Sequence, residues 1–364
     1  MKISRLHTTA LSIPIGKPFV SNHGGKKTSF GRFNPVLVRL ISDEGLEAYG
    51  YAKAYNDQNI KSLKATIDDL EEVIVGQDIS RPAEAWEKLW NATVHVGHHG
   101  YGIFAVAAID SALWNLRAKA MGIPLCRLLG GHKEKVPVYA NSWFRNWEID
   151  ALQRDAAELA QRGFRFLKMR MGDRPLDQEL ERLGAIKDAV GKDVGIMVDV
   201  NWGWTVPQAI QAGRELQRHG VYWLEDPVVS GDFDDIAQVA AALDMPVAAG
   251  ESICTKYEFR TLLEKRAVDI PQIDLQYVGG VTEWMKVAAM AEAWHLPVAS
   301  HTFHDFAVHL VGAAPNGLMV EYFPGLDMIY QEPLVVKDGF ATISEKPGVG
   351  LELDMEAVSR YEMK

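Results

Sequence analysis

The sequence predicts an α/β chain built on a parallel (β/α) barrel, preceded by a smaller α+β unit. Two observations predict it. Eight short apolar runs alternate with helical stretches over about 200 residues, and each run after the first carries an ionisable residue near its C-terminal end. A doubly wound open sheet is the competing architecture, but no G-x-G-x-x-G loop follows any of the runs.

Residues 1 to about 55 read as extended segments, "ISRLHTTALSI", "NPVLVRLISDEG" and "LEAYGYAKAY", with Asp43-Glu44-Gly45 as a turn. The polar, glycine-bearing "GKPFVSNHGGKKTSFGR" between the first two reads as a mobile loop. From about 58 to 130 apolar residues recur at three and four, as in "IKSLKATIDDLEEVIVG" and "GIFAVAAIDSALWNLRAKAMG", which predicts helices. Residues 1–130 therefore form the α+β unit and 131–340 the barrel. The barrel strands read "VPVYANS", "FLKMRMG", "GIMVDVN", "VYWLEDPV", "MPVAAGES", "DIPQIDLQ", "LPVASHT" and "LMVEYF". The last segment, 341–364, has short strand-like pieces and is expected to pack back on the first unit.

Composition narrows the function. The 364 residues carry a formal charge of −10 and show no basic stripe, which argues against a nucleic-acid partner. No apolar run approaches the roughly 18 residues of a membrane helix, and no charged-then-apolar leader precedes "MKISRLHTT", so the expectation is a soluble cytoplasmic protein without a membrane partner. Cys126 and Cys254 lack ligand spacing and read as buried thiols.

The strand-end polar residues carry the chemistry. In a barrel the C-terminal strand ends converge on one mouth, although the residues involved spread along the chain. Asp199, Glu225 and Glu251 are each about 26 residues apart, close to one βα unit, so three successive strands each offer one carboxylate. Carboxylates gathered in one pocket repel unless a cation neutralises them, and an all-oxygen set favours Mg²⁺ over zinc. Any one of the acids taken alone reads more readily as a solvated strand end. Asn201 shares a face with Asp199 by the period of two and is an auxiliary hydrogen-bonding group or the start of a loop. Asp274 and His301 fall on adjacent strands, where an aspartate on one imidazole nitrogen strengthens the other as a base. Lys168 and Arg170, two apart in "FRFLKMRMG", face the same way; both can enter the mouth opposite the dyad and bind a substrate carboxylate, or they neutralise Asp199 next door.

With those residues in place, the chain resembles the enolase superfamily in its mandelate racemase subgroup. The resemblance runs through almost the whole chain, on "AAIDSALWNLRAKAMGIPLCRLLGG", "LKMR", "MVDVNWGW", "WLEDPV", "AAGES", "QIDLQYVGG", "ASHTFH" and "VEYF". It implies a modified (β/α)7β TIM-type barrel under an N-terminal α+β capping domain. The sequence around Ser21 to Lys27 and around Tyr55 to Asn59 would then form lids over the site. It further implies Mg²⁺ held by Asp199, Glu225 and Glu251, an Asp274–His301 base dyad, and Glu321 as an acid that hydrogen-bonds the substrate carboxylate. Lys168 corresponds to the first lysine of the family's Lys-x-Lys motif, and a homo-oligomer is expected.

The second position of that motif is Arg170, whose guanidinium stays protonated and makes a poor base. A racemase needs a base on each face of the reacting carbon; His301 is the one clear base here. One-base chemistry suits β-elimination of water from an acid sugar, an aldonate or aldarate, to a 2-keto-3-deoxy acid. An epimerase, racemase or cycloisomerase using the same enediolate is the alternative, and a non-catalytic carboxylate-binding barrel a third.

Overall fold

Strand β1 (Ile3–Ala10), β2 (Ile13–His23), β3 (Lys26–Ser42) and β4 (Glu47–Ala54) form an antiparallel sheet in which β3 pairs with each of the other three. The computed structural model describes residues 1–23, 26–55, 59–142 and 147–363. Both faces of the sheet are covered, and the period of two sorts its residues between two cores. Val36, Val38 and Leu40 of β3 with Ala52 and Ala54 of β4 pack under the N-terminal helices. Leu37, Tyr49 and Tyr51 face the barrel. Gly45 makes the β3–β4 turn at φ 81°, a left-handed conformation that glycine adopts without steric cost. At Gly50 a Cβ would strike the backbone of Ala108 and Ala112, so glycine is what lets the helix Tyr101–Ala120 lie against β4.

That helix is buried on nearly every side, because the sheet covers one flank and the barrel the other. Its Asp110 accepts from the amide and hydroxyl of Thr282 at 2.8 and 2.6 Å, at the start of the barrel helix Val281–Ala293. Further ties between the N-terminal unit and the barrel are Tyr51 Oη to Asp305 (2.8 Å) and, from the helix Pro82–Ala92, Trp86 Nε1 to the Gly279 carbonyl (2.8 Å). The stretch expected as a mobile loop is instead a hairpin: β2 and β3 pair as Phe19↔Phe30, Ser21↔Thr28 and His23↔Lys26. Its glycines and lysines hid a run of strand-forming Phe19, Val20, Thr28 and Phe30. Of the two expected lids, residues 24–25 and 56–58 lie outside the described residues.

Eight parallel strands close the barrel: β5 (Lys135–Ser142), β6 (Phe166–Arg170), β7 (Gly195–Asp199), β8 (Leu224–Glu225), β9 (Val247–Ala249), β10 (Ile270–Asp274), β11 (Val298–His301) and β12 (Gly317–Tyr322). Closure is the β12–β5 pairing, Val320↔Val138 and Glu321↔Tyr139. Helical connections link each strand to the next and none separates β12 from a further barrel strand, which is the (β/α)7β pattern. Inside the barrel, Tyr139, Met197, Trp223, Ala248, Ile270, Ala299 and Met319 form a separate apolar plug. Two residues further along the same strands the inward positions become polar: Asn141, Asp199, Glu225, Gln272, His301 and Glu321. The barrel floor is thus apolar and its mouth charged, and the strand period alone separates them.

After β12, strands β13 (Val336–Lys337) and β14 (Phe340–Thr342) form a hairpin whose second member pairs antiparallel with the start of β5. The chain ends in a helix, Met355–Tyr361, capped by Asp354, which accepts from Glu356 N at 3.0 Å and Ala357 N at 3.2 Å. Beyond it Tyr361 O accepts from Ser12 N and Met363 N reaches Ala10 O, both at 2.9 Å. Among the described residues no helix is long and apolar enough to cross a membrane, and Cys126 and Cys254 are buried free thiols.

Candidate active site

Asp199 ends β7, Glu225 ends β8, and Glu251 lies just past β9, which is shorter than the sequence suggested. All three are buried, and each places a carboxylate oxygen within 4.8 Å of the others. Glu225 accepts from Trp223 Nε1 at 3.0 Å on one oxygen and from Lys168 Nζ at 2.5 Å on the other. Burial, against the pull of Lys168, pushes the Glu225 carboxyl up to about 7. Oε2 of Glu251 sits 3.0 Å from Nε2 of His301 but off the N–H axis, so this buried oxygen lacks a hydrogen-bond donor.

The dyad is assembled. His301 Nδ1 lies 2.7 Å from Asp274 Oδ2, and Oδ1 of Asp274 accepts from the amides of Gln276 (2.8 Å) and Tyr277 (3.0 Å). Thr302 Oγ1 adds a bond to Oδ2 at 3.1 Å. A carboxylate so surrounded by donors holds the Nδ1–H and leaves Nε2 pointing into the mouth. Burial alone would lower the His301 pKa, but Glu251 and then Glu321 outweigh it and raise it to about 10.

Lys168 and Arg170 do face the mouth from β6, and each already has strand-end carboxylates beside it. Lys168, fully buried, lies 2.5 Å from Glu225, 2.8 Å from Glu321 and 3.5 Å from Asp199. Arg170 lies 3.5 Å from Asp199 and donates to Asn201 Oδ1. Neutralisation of the strand-end acids is therefore what the pair performs in this structure. Asn201 in turn donates its backbone N–H to Asp199 at 2.8 Å.

Glu321 departs from the expectation of a proton-donating acid. It accepts from Lys168, from the Thr302 amide at 2.7 Å and from Asn141 Nδ2. Burial would raise its pKa, but Lys168 and then His301 outweigh it and hold it at about 2. A group ringed by donors has no use for its own proton.

Sequence reasoning missed several neighbours. Asp226 is buried with its Oδ2 unbonded and its carboxyl pushed well up by burial and by Glu251. Lys53, from β4, donates to Thr302 Oγ1 at 3.2 Å. Backbone conformation is a signal only the structure carries: Asn201, Asp226, Thr302 and Phe303 have φ of 44°, 46°, 48° and 49°, and each follows a site strand within two residues. His98 and His99 lie elsewhere, His98 stacked on Trp90 and His99 at 3.3 Å from Glu258.

At the mouth six buried acids, Asp199, Glu225, Asp226, Glu251, Asp274 and Glu321, stand against four buried basic groups, Lys168, Arg170, Lys53 and His301, and the crowding of acids shows in the raised pKa of Glu225 and Asp226. An excess of buried anions is costly unless a cation joins them, and an all-oxygen trio with one donor-less oxygen fits a hard divalent ion.

Comparison with known proteins finds relatives over most of the chain. A family model described as "Enolase C-terminal domain-like" matches residues 151–358, and one described as "Mandelate racemase / muconate lactonizing enzyme, N-terminal domain" matches residues 18–130. The chain is 30% identical to a 3,6-anhydro-alpha-L-galactonate cycloisomerase of Streptomyces coelicolor, over 98% of this chain and 99% of that protein. It is 31% identical to an L-talarate/galactarate dehydratase of Salmonella typhimurium, over 88% and 81%. A crystal structure of L-talarate dehydratase from Polaromonas sp. JS666, complexed with Mg and L-glucarate, superposes with a TM-score of 0.91 at 27% identity, covering 100% of this chain and 98% of that one.

Proposed function

The chain belongs to the enolase superfamily, in its mandelate racemase and muconate lactonizing enzyme family, and from that premise we propose that it dehydrates an acid sugar. The observation that carries the reading is the single base. The Asp274–His301 dyad is built on one side of the mouth, while Arg170 occupies the position where a two-base enzyme needs a second proton acceptor.

Asp199, Glu225 and Glu251 would hold Mg²⁺, the ion present in the Polaromonas relative's complex. Bound there, the ion supplies positive charge that stabilises the enediolate formed when a carboxylate substrate loses its α-proton. The remaining steps belong to side chains. Asp274 keeps the Nδ1–H of His301, so Nε2 is the nitrogen that takes the α-proton. With Mg²⁺ bound, part of the Glu251 charge would be neutralised, which would weaken the main pull that raises the His301 pKa. Glu321 anchors Lys168 beneath the reacting carboxylate, where the ammonium faces the developing negative charge. The same imidazolium returns its proton to the β-hydroxyl, which leaves as water, and the enol product tautomerises to a 2-keto-3-deoxy acid.

Ring opening through the same enediolate is the second reading, favoured by the 30% identity to the Streptomyces cycloisomerase. There the leaving group is a ring oxygen in place of a hydroxyl. A panel of aldonates, aldarates and their anhydro or lactone forms, incubated with Mg²⁺ and assayed for 2-keto acids, decides between them. Keto acid from an open-chain substrate supports dehydration; turnover of cyclic substrates alone replaces it with ring opening.

A further inference from the structure

Tyr49, Tyr51 and Lys53 alternate along β4, so Lys53 lies on the barrel-facing side of the N-terminal sheet. Its residue is buried, and its Nζ ends 3.2 Å from Thr302 Oγ1, the hydroxyl that itself bonds Asp274. The ring centroids of Phe303 and Tyr55 flank the ammonium at 5.5 and 5.6 Å. Lys168 and Arg170 have carboxylates within 4 Å; Lys53 has none among the described residues. The barrel acids Asp274, Glu321 and Glu251 pull on it only from a distance, opposing the burial that lowers its pKa.

A buried ammonium served by one hydroxyl and two aromatic faces is poorly compensated. Anchoring the sheet to the barrel does not require it, because the Lys53 backbone N–H already does so through Gln276 Oε1 at 2.6 Å. We propose that Lys53 binds a second carboxylate at the far end of the substrate, which makes the preferred substrate a sugar diacid, not a monoacid. This rests on the acid-sugar reading above. A terminal phosphate fits less well, since it brings up to two charges and three acceptor oxygens to a site with one cation and one hydroxyl.

The test uses the full-length Mg²⁺-loaded protein and pairs of aldarate and aldonate of the same configuration, measured by calorimetric binding and by turnover. The expected result is that wild-type protein binds the diacid of the matching pair about 100-fold more tightly than the monoacid, the scale of a desolvated charge pair. Lys53→Met should bring that ratio close to one, while Lys53→Arg, which keeps the cation, should retain most of it. Thermal melting of all three proteins excludes misfolding as the cause. Equal affinity for the two acids in wild type, no affinity for any member of the panel, or a ratio unmoved by Lys53→Met overturns the proposal. Binding that follows the diacid rule without keto acid or α-proton exchange leaves Lys53 in place and removes the dehydratase reading instead.

Discussion

Replacing Asp274 by asparagine separates catalysis from stability. Oδ1 of Asp274 caps the short helix Leu275–Val278 through the Gln276 and Tyr277 amides, and asparagine caps helices as well as aspartate does. Thr302 Oγ1, which donates to Oδ2 at 3.1 Å, can rotate to accept from an amide nitrogen. Folding should therefore lose less than about 1 kcal/mol. His301 loses much more, because a side-chain amide that turns its NH₂ toward Nδ1 forces the imidazole proton onto Nε2, the nitrogen that must accept the substrate's. General-base catalysis contributes about 10²–10⁴ in rate, so kcat should fall by that factor, or about 3–5.5 kcal/mol in activation free energy. The assays are kcat for 2-keto-acid formation, α-proton exchange in D₂O, and thermal melting with and without Mg²⁺. Activity within tenfold of wild type would refute the dyad argument; a large drop in melting temperature would show that Asp274 acts mainly as a structural cap.

Other perturbations give equally specific outcomes. His309 sits far from the mouth, accepting from the Cys126 amide on Nδ1 at 3.2 Å and donating from Nε2 to Val349 O at 3.0 Å. Burial lowers its pKa to about 4, so the unfolded chain binds the extra proton first and stability is lost as pH falls from about 6.5 to 4. The stability advantage of wild type over His309→Gln in urea unfolding should shrink by about 3 kcal/mol between pH 7 and pH 4. Trp223→Phe removes the indole donor 3.0 Å from Glu225 and should weaken Mg²⁺ binding about tenfold by calorimetry. Arg170→Lys puts a titratable amine where the guanidinium stands, and α-epimerised substrate should become detectable in D₂O by NMR where wild type gives none.

Much of this architecture could be read from residue pattern. The eight barrel runs are apolar and bounded by turns, and the spacing of Asp199, Glu225 and Glu251 matched one βα unit, so strand and acid reinforced each other. The hairpin of β2 and β3 was hidden because Gly24, Gly25, Lys26 and Lys27 dominate a stretch whose strand-formers are spread thinly. Lys53 was illegible for a different reason. Strand β4 is buried on both faces, so the alternation that usually marks one side as inward is missing, and nothing local distinguishes a lysine aimed at the barrel from one at the surface. The ionisation of Glu321 depends on Lys168, His301 and the Thr302 amide, brought to it from β6 and from the end of β11. Likewise Asp226 follows Glu225 in sequence like any turn residue, and its burial shows only in three dimensions.

In the proposed reaction one base, His301, removes the α-proton and water then leaves. It is tested most directly by running the Mg²⁺-loaded enzyme part-way in D₂O with its acid-sugar substrate and recovering both product and remaining substrate. The expected product is a 2-keto-3-deoxy acid carrying solvent deuterium at C3, with the recovered substrate unchanged in configuration at its α-carbon. Deuterated, inverted substrate without keto acid would contradict it and require a second base opposite His301.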